Sequence, residues 1–198
     1  MRNRIALSIL TLLLALPAVA AAADSYTVDQ AHSTVGFSVR HIFTRVPGEF
    51  NDFAGTIVYD AENPAGSSVD FTVQAASIDT DNERRDGHLK SADFFDVEKY
   101  PTLTFKSKKV AGSGDDLQVT GDLTIRGVTK EVTVPVEVLG AAGGKAGFAT
   151  EFKIDRLAYG VTWNRAMEGG GAMLDDEVTI RIDVEADKVE ATEAPAGK

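Results

Sequence analysis

Residues 79–105 read DTDNERRDGHLKSADFFDVEKYPTLTF, a charge-dense, aromatic insert in a chain that otherwise alternates like β-strands. Thr80 and Glu83 have the spacing of a capping box, in which hydroxyl and carboxylate each satisfy a free N–H of the first helical turn. A short helix over about 81–90 is expected. Ser91 precedes Asp93, Phe94 and Phe95, so a second turn can start there and throw two rings onto whatever lies beneath. Tyr100-Pro101 then forces an extended backbone. The insert reads as a lid or side plug on a β-structure.

On both sides of it the period is two, as an antiparallel strand with one buried face requires. Val35, Phe37 and Val39 alternate with Gly36, Ser38 and Arg40, and Phe53, Gly55, Ile57 and Tyr59 continue the pattern. Further runs are Val69/Phe71/Val73/Ala75, Leu103/Phe105, Leu117/Val119/Leu123/Ile125, Val132/Val134/Val136/Val138, Phe148/Phe152/Ile154 and Val178/Ile180/Ile182/Val184. About eight strands result. The links at 63–66, 112–116, 126–127 and 140–144 are rich in the Gly, Pro, Asn and Asp that tight turns need. Up-and-down order without helical crossovers predicts a sandwich or a barrel. Pro135 cannot donate to a ladder, so its strand is at an edge or bulged, and a gap there would admit a lipid tail. Small residues beside bulky ones (Phe53 then Gly55, Val119 then Gly121) suggest room inside.

The choice between barrel and sandwich rests on a resemblance. Asn82, Arg85, Asp86, His88, Leu89, Ser91, Asp93, Phe94, Phe95, Asp96, Tyr100, Pro101 and Phe105 resemble the signature of the YceI-like family of polyisoprenoid-binding, lipocalin-like periplasmic proteins. The likeness extends through AHSTVGFSVRH (31–41), GEFNDFAGTI (48–57) and VTGDLTIRGVTKEVTVPV (119–136), in one colinear order. It implies an all-β chain: an antiparallel up-and-down barrel of about eight strands, lipocalin-like, with a short helical insert near 81–96. It also implies an elongated apolar cavity that takes up an isoprenoid or similar long-chain lipid.

The N-terminus has the three parts of a secretory signal peptide: Arg2 and Arg4, an apolar run over 5–16, then Pro17 and the small residues 18–23. The run is short for a membrane span. Cleavage after Ala23 is favoured over Ala20, leaving a one-domain length and a periplasmic product without a stable membrane anchor. The domain is expected over 24–189, with a disordered tail over 190–198.

The chain has no cysteine, so a packed core and not disulfides must hold it. Its formal charge is −10, which disfavours nucleic acid and adsorption to lipid headgroups. His32 and His41 are nine apart, on opposite faces of a regular strand, and His88 is remote, so no metal-ligand spacing is present. No G-x-S-x-G turn places a nucleophile, and Gly169–Gly171 lacks the Lys-Ser/Thr of a phosphate loop. An enzyme is the minority reading, and no cofactor is implied beyond a bound isoprenoid or quinone-like lipid. A homodimer is compatible with this picture.

The expected tail-lining residues are Phe37, Val39, Phe53, Ile57, Phe71, Phe94, Phe95, Phe105, Val134 and Phe152, with Phe50 and Trp163 beside them; about half should touch ligand, since small barrels fill part of their interior. For a polar head the candidates are Arg40, His41, Arg85 and His88, the last two sharing a helix face. Arg85 and Asp86 could equally anchor the insert to the barrel. Residues 156–173, with Tyr159, Trp163 and Asn164, read as a flexible loop crossing one barrel end, either a surface loop or the rim of the cavity mouth. The function read from this is periplasmic lipid binding for transport, storage or sequestration. The alternatives are a quinone-binding accessory of electron transfer, an enzyme acting on a bound isoprenoid, and a protein that sequesters hydrophobic antibiotics or peptides.

Overall fold

The structure, a computed structural model, describes residues 23–167 and 171–190. Residues 1–22 of the expected signal peptide and 191–198 of the expected tail lie outside these residues. Within them, one antiparallel sheet contains β1 (Asp24–Val28), β2 (Thr34–His41), β3 (Thr44–Phe50), β4 (Phe53–Tyr59), β5 (Ser68–Gln74), β6 (Ile78–Asp79), β7 (Thr102–Ser113), β8 (Asp116–Ile125), β9 (Val128–Ala142), β10 (Lys145–Asp155) and β11 (Leu174–Lys188). The single α-helix among the described residues, α1 (Glu83–Lys90), lies between β6 and β7. β1 pairs with both β4 and β11, and this double pairing closes β1, β4, β5 and β7–β11 into an eight-stranded barrel.

Three strands bend in register. Between β1 and β2 a 3-10 turn intervenes, where Asp29 Oδ1 accepts from Ala31 N at 3.0 Å. Residues 51–52 separate β3 from β4, and 75–77 separate β5 from β6. Hydrogen bonds join the bends: Gln30 Nε2 donates to Asn51 O at 2.6 Å, and Asn51 N donates to Ser77 O at 3.2 Å. Beyond that line β6 pairs with β3 alone, and the segment carrying α1 fills the interval before β7.

Both strand prolines sit where no ladder bond is needed. A residue's N–H and C=O project to the same edge of a strand. Thr150 Oγ1 of β10 donates to Pro135 O at 2.5 Å, so the N–H that Pro135 lacks would have faced β10. The β9–β10 ladder accordingly ends at Glu137↔Ala149, and 128–135 has no β10 partner. This is the gap that Pro135 predicts. Pro47, opposite Ser38, likewise faces away from its hairpin partner β2.

The interior is apolar: Val35, Phe50, Ile57, Phe71, Val119, Val134, Phe148 and Val184 are among its buried side chains. The small residues do not leave room, contrary to expectation. A β-carbon on Gly55 would stand 2.6 Å from the Phe71 ring and one on Gly121 2.7 Å from the Phe105 ring, so rings from neighbouring strands cover the glycines.

The helix begins differently from its expected capping box. Asn82, not Thr80, is the N-cap, with Oδ1 accepting from Arg85 N at 3.0 Å. Asp81 has φ +58°, a left-handed residue that turns the chain between Thr80 and the helix. Buried Thr80 serves as an anchor instead: its hydroxyl donates to Asp86 Oδ1 at 2.5 Å and accepts from Arg85 Nε at 2.7 Å. The Ser91 turn forms as read, with Ser91 O accepting from Phe94 N at 3.1 Å. One more turn is unusual. Ile42, between β2 and β3, has φ +54°, a conformation costing a β-branched residue on the order of 1–3 kcal/mol.

Candidate functional site: two apolar chambers along the barrel

Inward-facing side chains enclose two adjoining spaces. The deep chamber, about 180 Å³, is walled by Val35, Ile57, Val69, Phe71, Phe105, Val119, Val134, Phe148, Phe152 and Ile182 among others, with Thr104 and Thr150 as rare polar neighbours. The wider chamber, about 570 Å³, lies toward α1 and the loop after β10, and mixes apolar residues with His41, Asn82, Arg84, Arg85, His88, Arg156 and Tyr159. Phe37, Phe50, Leu103, Ile125 and Ile180 line both, so the same side chains roof one chamber and floor the other. Within this divider the rings of Phe37 and Phe50 lie 5.7 Å apart, and Phe95 meets Phe50 edge-on at 5.8 Å. Such tilted contacts are favourable for aromatic quadrupoles.

Of the expected tail-lining residues, Ile57, Phe71, Phe105, Val134 and Phe152 line the deep chamber, and Val39, Phe94, Phe95 and Trp163 the wider one; Phe37 and Phe50 line both. Phe53 lines neither. It is buried and stacks on Phe71 with centroids 5.8 Å apart, a packing role.

The head-group candidates separate by strand parity. Val39 and His41 face inward, which turns Arg40 to the outer surface, where its Nε meets Asp175 Oδ2 at 3.1 Å. Arg40 therefore does not belong with the chamber. This hydrogen bond holds the Asp175 carboxyl below its usual range. His41, Arg85 and His88 do line the wider chamber. Arg85 also donates from Nη2 to Thr80 O at 2.6 Å, so the anchoring role and the chamber wall are the same side chain. His88 Nε2 lies 2.9 Å from Asp93 Oδ2, and its ring stands edge-on to Phe94 and Trp163, with centroids 5.0 and 4.9 Å away.

The loop after β10 forms part of the chamber rim, and Arg156 explains how. Almost fully buried, it donates from Nε to Asp175 O at 2.8 Å and from Nη1 to Val161 O at 2.7 Å and Trp163 O at 2.9 Å, while Nη2 meets Asp176 Oδ1 at 3.2 Å. Burial lowers its pKa, but a guanidinium stays protonated. Asn164 adds a two-way bond to Leu174, donating to its O at 2.8 Å and accepting from its N at 3.0 Å. Gly169 and Gly170 lie outside the described residues. Arg126 ties the β8–β9 turn to the same rim, donating to Gly160 O and, at 2.7 Å, to Ala92 O. No spacing rule marks Arg126 or Arg156; each is read in sequence only as a charged residue near a turn.

At the other end, Asp29, His32 and Glu185 converge. Lys145 Nζ lies among them, 2.7 Å from Glu185 Oε1 and 3.6 Å from Asp29 Oδ2, so an ammonium already occupies the position of a cation there. The 3-10 turn brings His32 to Asp29, a grouping that spacing along a regular strand misses.

The family model for the YceI-like domain matches residues 26–186. Protein YceI of Escherichia coli is 44% identical over 142 residues, covering 68% of this chain and 74% of its own length. The crystal structure of Burkholderia cenocepacia BcnA superimposes with a TM-score of 0.73 at 30% identity, over 80% of this chain and 98% of that one. A polyisoprenoid binding domain from Saccharophagus degradans, implicated in plant cell wall breakdown, shares the fold with a TM-score of 0.67 at 14% identity, over 83% and 98% of the two chains. With matched sequence running from β1 into β11 and the barrel with its helical insert in place, this chain belongs to the YceI-like family.

Proposed function

We infer that this chain carries a single long-chain amphiphile, a polyisoprenoid or comparable lipid, tail-first in the barrel. The observation behind the reading is the pair of chambers, apolar in the depth and polar only toward the mouth. Excluding water from a tail supplies the affinity: each buried methylene contributes on the order of 0.8 kcal/mol, so one five-carbon unit is worth roughly 3–4 kcal/mol before ordering costs. The divider then makes length matter, because a tail must displace or pass Phe37, Phe50 and Phe95 to enter the deep chamber. The unpaired stretch of β9 at 128–135 offers a lateral route for the same tail. His41, Arg84, Arg85 and His88 are the donors available to an oxygen-bearing head.

We place the protein in the periplasm, released by cleavage after Ala23, because residues 1–23 have the form of a signal peptide. Its role there is binding and not catalysis: Arg85, His88 and Arg156 in the wall of the wider chamber are tied to backbone or to neighbouring side chains, and among the described residues no nucleophile–base pair stands over it. A quinone is the second reading, favoured by the His88–Phe94–Trp163 cluster, which offers ring faces and edges to a flat head. Titration of delipidated protein with prenols of increasing length tests the carrier reading. Affinity should rise with each unit and then level off; affinity that follows the head group and ignores length would overturn it in favour of the quinone. Mass spectrometry of the lipid that co-purifies would name the ligand.

A further inference from the structure

We propose that the β2–β3 hairpin tip is a docking element for an anionic lipid bilayer, setting the chamber mouth against the membrane that supplies the cargo. Phe43 at this tip is 95% exposed, although its ring is among the largest apolar side chains in the protein. Its neighbour Ile42 holds a left-handed conformation, φ +54°, with its N–H fixed to Met173 O at 2.9 Å. The turn is therefore held in an unfavourable backbone state that presents a phenylalanine to solvent, a combination that the packing of this chain does not require. The base of the hairpin is part of the site: Val39, His41 and Val46 line the wider chamber.

Charge selects the partner. Residues 34–48 contain no acid, in a chain of net charge −10; Arg40 is paired with Asp175 of adjacent β11, which leaves Arg45 as the cation at the tip. Arg45 is exposed and forms no ion pair among the described residues. An exposed aromatic ring two residues from an unpaired guanidinium matches the boundary between lipid phosphates and acyl chains. The acidic remainder of the molecule repels the same surface, so contact is weak and confined to this pole. A protein partner fits less well, because one ring and a two-residue turn fall far short of the area a stable protein interface buries. The purpose of the contact rests on the carrier reading: an insoluble tail is handed over at a membrane, not through water.

The absence of cysteine allows a single label to be placed at will. Thr44→Cys and, at the far pole at the end of β7, Ser113→Cys are each coupled to an environment-sensitive fluorophore and titrated with phosphatidylethanolamine/phosphatidylglycerol vesicles. The label at 44 should shift to the blue and brighten, and the label at 113 should not. Phe43→Ser in the Thr44→Cys background should weaken vesicle partitioning roughly tenfold or more, and Arg45→Glu should abolish the preference for anionic over phosphatidylcholine vesicles. High salt should weaken the contact. A silent label at 44, equal responses at both poles, or an unaltered response in Phe43→Ser would overturn the proposal. Phe43 lines neither chamber, so Phe43→Ser should bind prenols in vesicle-free solution as the parent does. Failure of the parent to bind prenols defeats the carrier reading, whereas prenol binding without a vesicle response defeats only the docking element.

Discussion

The ring of Phe37 occupies the space in front of Gly48, its register partner across the β2–β3 hairpin, where a β-carbon on Gly48 would stand. The glycine makes the divider possible: with any side chain there, Phe37 could not lie against Phe50. Gly48→Ala should therefore destabilise the protein by about 1–3 kcal/mol, the usual cost of overpacking. Adding Phe37→Ala should recover part of that loss. A double-mutant cycle by urea denaturation reads the coupling; strictly additive effects would show that the ring and the glycine are independent.

Phe50 touches both other rings of the divider. Phe50→Ala should cost about 3–5 kcal/mol in stability and join the two chambers into one. In prenol titrations the length at which affinity levels off should then increase, or the dependence on length should become smoother. An unchanged plateau would mean that the divider does not meter the tail.

At the opposite end of the barrel, His32 Nδ1 and Asp29 Oδ2 lie 2.8 Å apart. The bond to Asp29 raises the pKa of His32, and the bond to His32 lowers that of Asp29. A raised histidine contributes fully below its ordinary value near 6.5, and that contribution is lost as pH rises through the higher folded value. The lowered carboxyl contributes above its ordinary value near 3.9, and this is lost as pH falls through the lower folded value. The difference in melting temperature between the parent and His32→Gln should thus be larger at about pH 5.5 than at about pH 8.5. A difference independent of pH would remove the pair from the account.

The unpaired stretch of β9 makes a prediction with a two-residue period. Because Pro135 faces β10, the amides of Glu131 and Thr133 face the same empty edge, while those of Lys130, Val132 and Val134 are turned toward β8. Hydrogen exchange should be fast at the first two and slow at the other three. Uniform protection over 130–134 would mean that β10 pairs with this edge in solution.

Strands with unbroken alternation and a single packed face were legible in the sequence, β8 with Leu117, Val119, Leu123 and Ile125 most plainly. β3 was hidden by Pro47 and Gly48, which read as breakers; the proline lies on a free edge and the glycine makes way for a ring, facts of register that one strand alone does not carry. β1 was hidden by its brevity, since Tyr26 and Val28 alone mark its buried side. The same limit applied at the site. Alternation distinguishes inward His41 from outward Arg40, but the meeting of Phe37, Phe50 and Phe95 joins β2, β3 and the turn after α1. Arg156 gave no signal, because its four contacts are set by loop geometry after β10.

The closure of the barrel by β1 on β11 joins the first strand of the domain to its last, with Tyr26 opposite Lys188. That pairing spans nearly the whole domain, and contacts of such sequence separation slow folding because the long loop must be closed before the contact repays it. A ribosome-bound chain still lacking β11 can form the β7–β10 meander but not the ring. If residues 1–23 direct export, this order of events favours it: the topology keeps the nascent polypeptide unfinished until its last strand is made, and an unfinished barrel is the state that can be threaded through a narrow channel.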